Sequence, residues 1–410
     1  MNKIILAVSL IFLNVGMLFS QNESNSPYSL FGLGSLYESN YGSIPSLGGS
    51  GVALPTKRFI NNLNPASLAF IDRNSFLFDL GGKASSTSYK NQDTNEKKDN
   101  FYFSHIAFAS PITSKSGFSF ALKPFTNSTY EITNLEIPIQ GTTESYLASI
   151  VGTGGLNAFD FSYGYLLSNK VSVGFTGSVF FGSIDEKRTM AIAESITTIQ
   201  EENNYHGFRP TLGVQFSIDS TLTIGATVKL PTTLGGSQVR SISTINNSGT
   251  IVVEDEEDYD VDNFHLPTEI AFGVSKTYKD LNLTLDYERK FWGSTNQSDE
   301  FGDFSDQNKF SFGASYMRKG RKISYLDMIQ YNAGISYDTG YLVIDDEKVQ
   351  NAGVHIGLGF PLENFHSFLN VTYSYGQRGK VSETLIKENY HLLSLNLSLE
   401  GIWFVKRKYD

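Results

Sequence analysis

The stretch Lys170–Gly182, KVSVGFTGSVFFG, decides the fold. Val171, Val173, Phe175, Val179 and Phe181 share one parity, and Lys170, Ser172, Thr176 and Ser178 share the other. A strand sends successive side chains to opposite faces, so this segment has an apolar face and a polar face. It is longer than an ordinary soluble strand of ~5–6 residues. It exceeds the ~9–11 residues that cross a bilayer at a tilt.

The same alternation recurs along the chain. In Thr221–Leu230, Leu222, Ile224, Ala226, Val228 and Leu230 oppose Thr223, Gly225, Thr227 and Lys229. Leu281, Leu283, Leu285 and Tyr287 oppose Asn282, Thr284, Asp286 and Glu288. Near the end, Leu393, Leu395, Leu397 and Leu399 oppose Ser394, Asn396, Ser398 and Glu400. About fourteen strands follow from this criterion, an even number as in bacterial transmembrane barrels. They fall near 74–84, 101–111, 116–131, 155–167, 170–182, 205–218, 221–231, 265–277, 280–292, 307–319, 330–341, 349–360, 367–377 and 388–404.

The connections alternate in length. Segments 85–100, 132–154, 183–204, 232–264 and 293–306 read as long loops, whereas Ser168-Asn169, Asp219-Ser220 and Tyr278-Lys279 read as tight turns. Outer-membrane barrels have short periplasmic turns and long extracellular loops, so both termini are expected in the periplasm. The link 320–329 is long for a periplasmic turn and is the weak point of the pattern. A soluble β-sandwich also alternates, but its strands are shorter and its loops do not sort by end. The expected fold is therefore all-β: a transmembrane antiparallel barrel of about fourteen strands with an N-terminal lumenal plug, or hatch.

Composition bounds the chemistry. The chain has 410 residues, no Cys and a net charge of −10. Absence of Cys excludes disulfides, thiolate metal sites and an acylated lipoprotein anchor. The acidic balance, with no basic stripe, argues against a nucleic-acid partner. Residues 1–20 carry Lys3 and the apolar run Ile4–Phe19, which reads as a signal peptide cleaved near Ser20. A membrane anchor is the alternative reading, but the run is short and broken for a spanning helix.

The domains are then 1–20 signal peptide, 21–73 plug, 74–404 barrel and 405–410 periplasmic tail. A barrel of this size is too wide for its own side chains to fill. Residues 21–72, rich in Gly, Pro and Asn, have the length and type to occupy it. Inward glycines at 225, 313, 334, 353, 357 and 359 would leave room for a second chain. A disordered leader is the alternative, opposed by interspersed apolar residues such as Phe31, Leu47, Ile60 and Leu68.

Within that segment, Gly48-Gly49-Ser50-Gly51 and Asn61-Asn62-Leu63-Asn64-Pro65-Ala66 carry a resemblance. A Gly-rich run, an Asn-Pro-Ala segment and then the first strand of a large barrel resembles the FadL/TodX-type (OMPP1-like) outer-membrane transporters. Ser26–Gly34 and the basic flank Lys406-Arg407-Lys408 resemble members from Bacteroidota. The resemblance implies a fourteen-strand barrel with a hatch that admits hydrophobic or amphipathic small molecules. Some relatives instead act as scaffolds or shuttles in envelope machines such as type IX secretion. The matching plug residues are Gly48, Gly49, Gly51, Asn61, Asn62, Asn64 and Pro65.

Pro124 lies within the third strand, where a missing N–H must interrupt the ladder. In the family a kink in that strand opens the wall laterally. Lys123, Pro124, Phe125 and Thr126 are therefore the candidate lateral opening, with a simple bulge as the alternative.

Other chemistry is not indicated. The six His (105, 206, 265, 355, 366, 391) show no metal spacing, and His355 shares the polar parity. Glu254–Asp262 is a dense acidic run without the Gly and terminal Glu of an EF-hand, and reads as a solvated loop or a divalent-cation bridge to lipopolysaccharide. No catalytic residue, metal or cofactor is expected. The expected partners are a hydrophobic or amphipathic small molecule, outer-membrane lipid and lipopolysaccharide, with envelope proteins as the alternative.

Overall fold

The computed structural model describes residues 26–55, 57, 59–138, 145–192, 194–246, 249–299, 302–318, 324–362 and 366–402. The expected signal peptide and the tail 405–410 lie outside these residues.

Fourteen antiparallel strands close into a barrel. In chain order they are β1 (Ser75–Lys90), β2 (Asn95–Thr113), β3 (Ser116–Pro124, resuming at Tyr130–Pro138), β4 (Ser145–Leu166), β5 (Val171–Ile192) and β6 (Ser195–Ser217). Next come β7 (Leu222–Lys229, resuming at Thr232–Asn246), β8 (Gly249–Leu266, resuming at Glu269–Tyr278), β9 (Leu281–Lys290) and β10 (Gln307–Tyr316). Last are β11 (Gln330–Asp338), β12 (Asn351–Pro361), β13 (Phe368–Arg378) and β14 (Lys387–Ile402). Closure is made by β1 against β14, from Ser75↔Ile402 to Lys90↔Lys387.

The parity read from sequence sorts the two faces of the wall. On β5, Val179 and Phe181 are 45% and 43% exposed, whereas Ser172 is fully buried. Outward Phe120, Phe161, Phe216, Phe272, Phe312 and Ile356 continue an apolar band around the barrel. Tyr165, Tyr278, Tyr316 and Tyr331 sit at its short-turn end, like the aromatic girdles that flank a lipid-facing band. His355 faces inward between Ser336 Oγ (3.0 Å) and Ser374 Oγ (2.8 Å).

Several expected loops are strand instead. Segments 85–100, 132–154, 183–204 and 232–264 mostly extend the ladders, so β4, β5 and β6 reach 22, 22 and 23 residues. At ~3.3 Å per residue that is about 75 Å, more than twice the hydrocarbon thickness. Their upper halves, with those of β3, β7 and β8, form a six-stranded sheet that stands beyond the barrel. Sequence parity fails there because both faces of the sheet meet water, and neither need be apolar. The weak link 320–329 contains a short helix, Tyr325–Met328.

The wall bends into this sheet along a belt of interruptions. Phe125 lies between the two parts of β3, Gly154, Gly155 and Gly182 have φ of +89°, +150° and +146°, and Pro231 and Pro267 interrupt β7 and β8. Arg209 on β6 satisfies the carbonyls freed at the prolines. Its Nε donates to Leu230 O (3.0 Å), Nη2 to Pro267 O and Nη1 to Glu269 Oε1 (2.9 Å).

Residues 26–54 and 59–71 lie within the barrel. Ser26 donates to Glu388 Oε1 (2.5 Å) near the hairpin end of β14, and the chain then runs towards the short-turn end before β1 begins. The described chain thus starts inside the lumen at the hairpin end. Three 3₁₀ turns, Pro27–Leu30, Ile44–Leu47 and Pro65–Phe70, pack against the inner face. Inward glycines make room. A Cβ at Gly174 would collide with Pro65, and one at Gly334 with Gly48 and Leu47. Gly225, Gly313 and Gly357 likewise meet Val52, Leu47 and Ser46, but Gly353 and Gly359 face barrel side chains instead.

Gly174→Leu is expected to insert into membranes while displacing Pro65, at a packing cost of about 1–3 kcal/mol. Limited proteolysis should then cut within residues 26–72 at least several-fold faster than in the parent. Equal cutting would show that this approach is not tight.

Candidate functional site

Each Asn of the inner motif joins separate stretches of backbone. Asn61 Nδ2 donates to Gly51 O (2.8 Å) and Leu54 O (3.0 Å), while its Oδ1 accepts from Leu63 N (2.9 Å). Asn62 Nδ2 donates to Ser39 O (2.7 Å). Asn64 caps the turn at Pro65 by accepting from Ala66 N (3.0 Å), and its Nδ2 reaches Val52 O (2.9 Å) and Val214 O of β6 (3.0 Å). An irregular buried chain cannot pair its amides in a ladder, so side-chain amides with both donor and acceptor do so. Gly48, with φ +68°, ends the Ile44–Leu47 turn in the left-handed region, and Gly49 donates back to Ile44 O (3.1 Å). Gly51 N and Val52 N both donate to Asp286 Oδ2 on β9, at 2.6 and 2.9 Å.

Charged groups fill what remains. Lys123 pairs with Asp160 (2.5 Å), Glu269 with Arg209 (2.9 Å) and Lys229 (2.8 Å), and Lys290 with Glu288 (3.4 Å). Glu38 of the inner segment pairs with Lys309 on β10, and its backbone oxygen accepts from Lys83 on β1. The Lys309 ammonium pulls the Glu38 carboxyl down to about 2, so this link persists in mild acid. These residues line two cavities of about 180 and 250 Å³ on either side of residues 36–40.

The hairpin end is sealed by an apolar cluster. Tyr28, Phe31 and Leu33 pack with Phe180, Leu234, Leu266, Trp292, Phe304 and Leu342. A small sheet made from Ser298–Asp299, Gly302–Phe304, Leu342–Ile344 and Glu347–Lys348 lies over them. Trp292 stacks on Tyr341 at 4.9 Å, and Asp299 Oδ2 accepts from Gly32 N (2.6 Å). This lid was not legible in sequence, because its strands are two or three residues long and show no periodicity.

The wall has one seam near Pro124. The β2–β3 ladder runs from Thr113↔Ser116 up to Ile106↔Leu122 and stops. Beyond it, Asn95–His105 of β2 pairs with β1, and Tyr130–Pro138 of β3 pairs with β4. On the β4 side the contact holds, through Pro124↔Asn157, Phe125 N to Leu156 O (2.7 Å) and Ser128 N to Gly154 O (3.0 Å). The backbone released on the β2 side is covered from inside. Ser35 and Leu36 pair with Asn127 and Thr126, and Tyr37 N donates to Phe125 O (2.9 Å). The Tyr37 ring lies 4.9 Å from Tyr102 of β2. Lys123, Pro124, Phe125 and Thr126 thus all lie at the seam, whereas the plug motif lies deeper, towards the short turns.

A family model described as BamG matches residues 1–410. No curated protein sequence matches. Among solved structures, the Pseudomonas putida toluene transporter TodX superposes with a TM-score of 0.64 at 14% identity, covering 90% of this chain and 99% of its own. The CymD monoaromatic hydrocarbon channel gives 0.62 at 14%, over 90% and 99%. A Pseudomonas aeruginosa FadL homologue gives 0.60 at 10%, over 90% and 100%. The shared fold is that of FadL-type barrels, which points to the Gram-negative outer membrane.

Asn64→Ala removes a cap and the Nδ2 donor to Val52 O and Val214 O, of which Val52 O keeps only Gln215 Nε2 (2.9 Å). It should destabilise the folded barrel by about 1–3 kcal/mol in urea titrations of refolded protein. Asn64→Asp keeps the cap but loses that donor, so it should not restore stability. A parent-like midpoint for either variant would remove Asn64 from the set of anchors.

Proposed function

This chain belongs to the BamG family, and we propose that it serves as a closed-lumen scaffold of an outer-membrane assembly, presenting its protruding sheet to a partner protein. One observation carries this reading: the two cavities beside residues 36–40, at the level of Pro124, are lined by ion pairs, although a third of about 400 Å³ near the short turns is lined by Leu47, Leu54, Phe59, Met317 and Phe368. Sites for apolar molecules are built mainly from aliphatic and aromatic side chains. A toluene-like molecule entering here would strip water from Lys123, Asp160, Glu269, Lys290 and Lys309 and return no hydrogen bond. The apolar cluster at the hairpin end supports the same reading, since its side chains already pack on one another. The short turns, and with them the C-terminus, face the periplasm in this reading, as in outer-membrane barrels generally.

A second reading is passive uptake of a hydrophobic small molecule with lateral exit. The end of the β2–β3 ladder at Ile106↔Leu122 favours it, as do the solved transporters of the same fold. In that reading residues 35–37 act as the shutter of the opening beside Pro124.

Purified protein in lipid vesicles separates the two. The scaffold reading expects no entry of toluene or of a fatty acid above protein-free vesicles, and no change with Pro124→Ala. Removing residues 26–72 should leave a barrel that inserts and conducts ions. In cells, loss of the gene should alter the set of surface-exposed proteins and leave uptake unchanged. Saturable toluene entry through the intact protein, slowed by Pro124→Ala, would sink the scaffold reading and establish the second.

A further inference from the structure

The protruding sheet has an open edge. Gly249–Leu266 of β8 pairs with β7 on one side, from Thr232↔Leu266 to Asn246↔Gly249. On the other side, among the described residues, only its base is covered: Gln297 bonds the backbone of His265 through both side-chain atoms (2.7 and 2.8 Å). Above His265, the next strand in the barrel, β9, has already ended at Lys290 within the wall. Among the described residues, the backbone donors and acceptors from about Ile251 to Asn263 therefore have no strand beside them, in short runs separated by bulges at Val253, Asp255–Glu256 and Asp262–Asn263, with Glu256 at φ +47°.

The side chains on this edge define what fits. Glu254, Asp255, Glu256, Glu257, Asp258, Asp260 and Asp262 lie along it, and all but the partly buried Glu254 are exposed. Among the described residues, only Glu254 of these has a cation partner, Arg240 on β7 at 2.8 Å. Ile251, Val252 and Val253 follow towards the tip at 52%, 60% and 65% exposure. Carboxylates on an edge repel a like-charged strand, so a second copy of this edge is excluded as the occupant. Opposite charges directly across a strand pair attract.

We infer that the free edge of β8 takes up an extended, lysine- or arginine-rich segment of a partner protein by strand addition, its basic residues opposite Glu254–Asp262 and its β-branched residues opposite Ile251–Val253. Main-chain hydrogen bonds supply the contact and the charge pattern supplies the choice of partner. The inference rests on the scaffold reading and specifies its partner.

The test uses the full-length protein in lipid nanodiscs and three synthetic peptides: alternating Lys-Val, alternating Glu-Val, and the Lys-Val peptide with every second Val replaced by Pro. The Lys-Val peptide should bind, weaken with salt, and slow hydrogen exchange of the amides between Ile251 and Asp262 at least tenfold. The Pro-containing peptide carries the same charge but cannot complete a ladder, so it should give no such protection. Asp255→Lys combined with Glu257→Lys and Asp258→Lys takes the edge from seven carboxylates to four carboxylates and three lysines and should lose the Lys-Val peptide. Equal protection by the Pro peptide, protection by Mg²⁺ alone, or no protection by the Lys-Val peptide would overturn the inference. Toluene entry is measured separately on the same preparation. No uptake with no peptide protection refutes the edge and leaves the scaffold, whereas uptake refutes the scaffold whatever the peptides do.

Discussion

Lipid cannot hydrogen-bond a peptide group, and the rest of the structure depends on that. The constraint forces the wall to close on itself, from Ser75 against Ile402 to Lys90 against Lys387. It explains what happens where Pro124 interrupts the wall. The unpaired stretch of β3 is not left to the membrane; Ser35, Leu36 and Tyr37 meet it from within. It explains Arg209 as well, whose guanidinium serves Leu230 O and Pro267 O where two strands break together. The same constraint ends where the membrane ends. Beyond the belt of Pro and Gly the sheet is free to keep open edges, because water can satisfy them.

Closing a wide wall creates a second problem, since the lumen cannot be filled by strand side chains alone. The solution is an irregular chain whose amides are paired by Asn and Ser and by Asp286 of the wall. Buried polar networks of this sort hold only when their members are satisfied together. Asn61, Asn62 and Asn64 sit next to one another in sequence yet bond to Gly51, Ser39 and Val214, fixing three stretches at once. What is left beside residues 36–40 is lined by charged groups, whereas the space near the short turns is lined by Leu47, Leu54, Phe59 and Met317 as well as polar side chains.

The barrel was legible because lipid on one face and a polar lumen on the other impose a period of two. Lys170–Gly182 shows it directly, and all fourteen strands fall where the alternation puts them. The upper strands were not legible. Beyond Ile184, which still packs on the apolar cluster, the described residues up to Asn204 are partly or fully exposed on both faces, so no parity is enforced and the run reads as loop. The segment Asn61–Pro65 stood out by composition and resemblance, but the bonding of the inner chain was not legible, since Asn64 meets Val214 150 residues on and Gly51 meets Asp286 235 residues on. The lumenal ion pairs escaped notice for a similar reason. Lys123, Asp160, Lys229 and Glu269 are single charges in separate strands, and only register brings them together.

The inner segment's bonds have a temporal consequence. Ser26 and Glu388 are 362 residues apart, and Gly42 O is held by Asn396 of the final strand. A chain made from its N-terminus contains these early residues long before their partners are made. During that interval Tyr28, Phe31 and Leu33 lack the later members of their cluster, among them Trp292, Phe304, Leu342 and Leu385, and their apolar side chains face water. The inner segment, early in the chain, is thus among the last parts to be completed. Until the barrel closes it needs a holding chaperone or rapid docking at the site of membrane assembly.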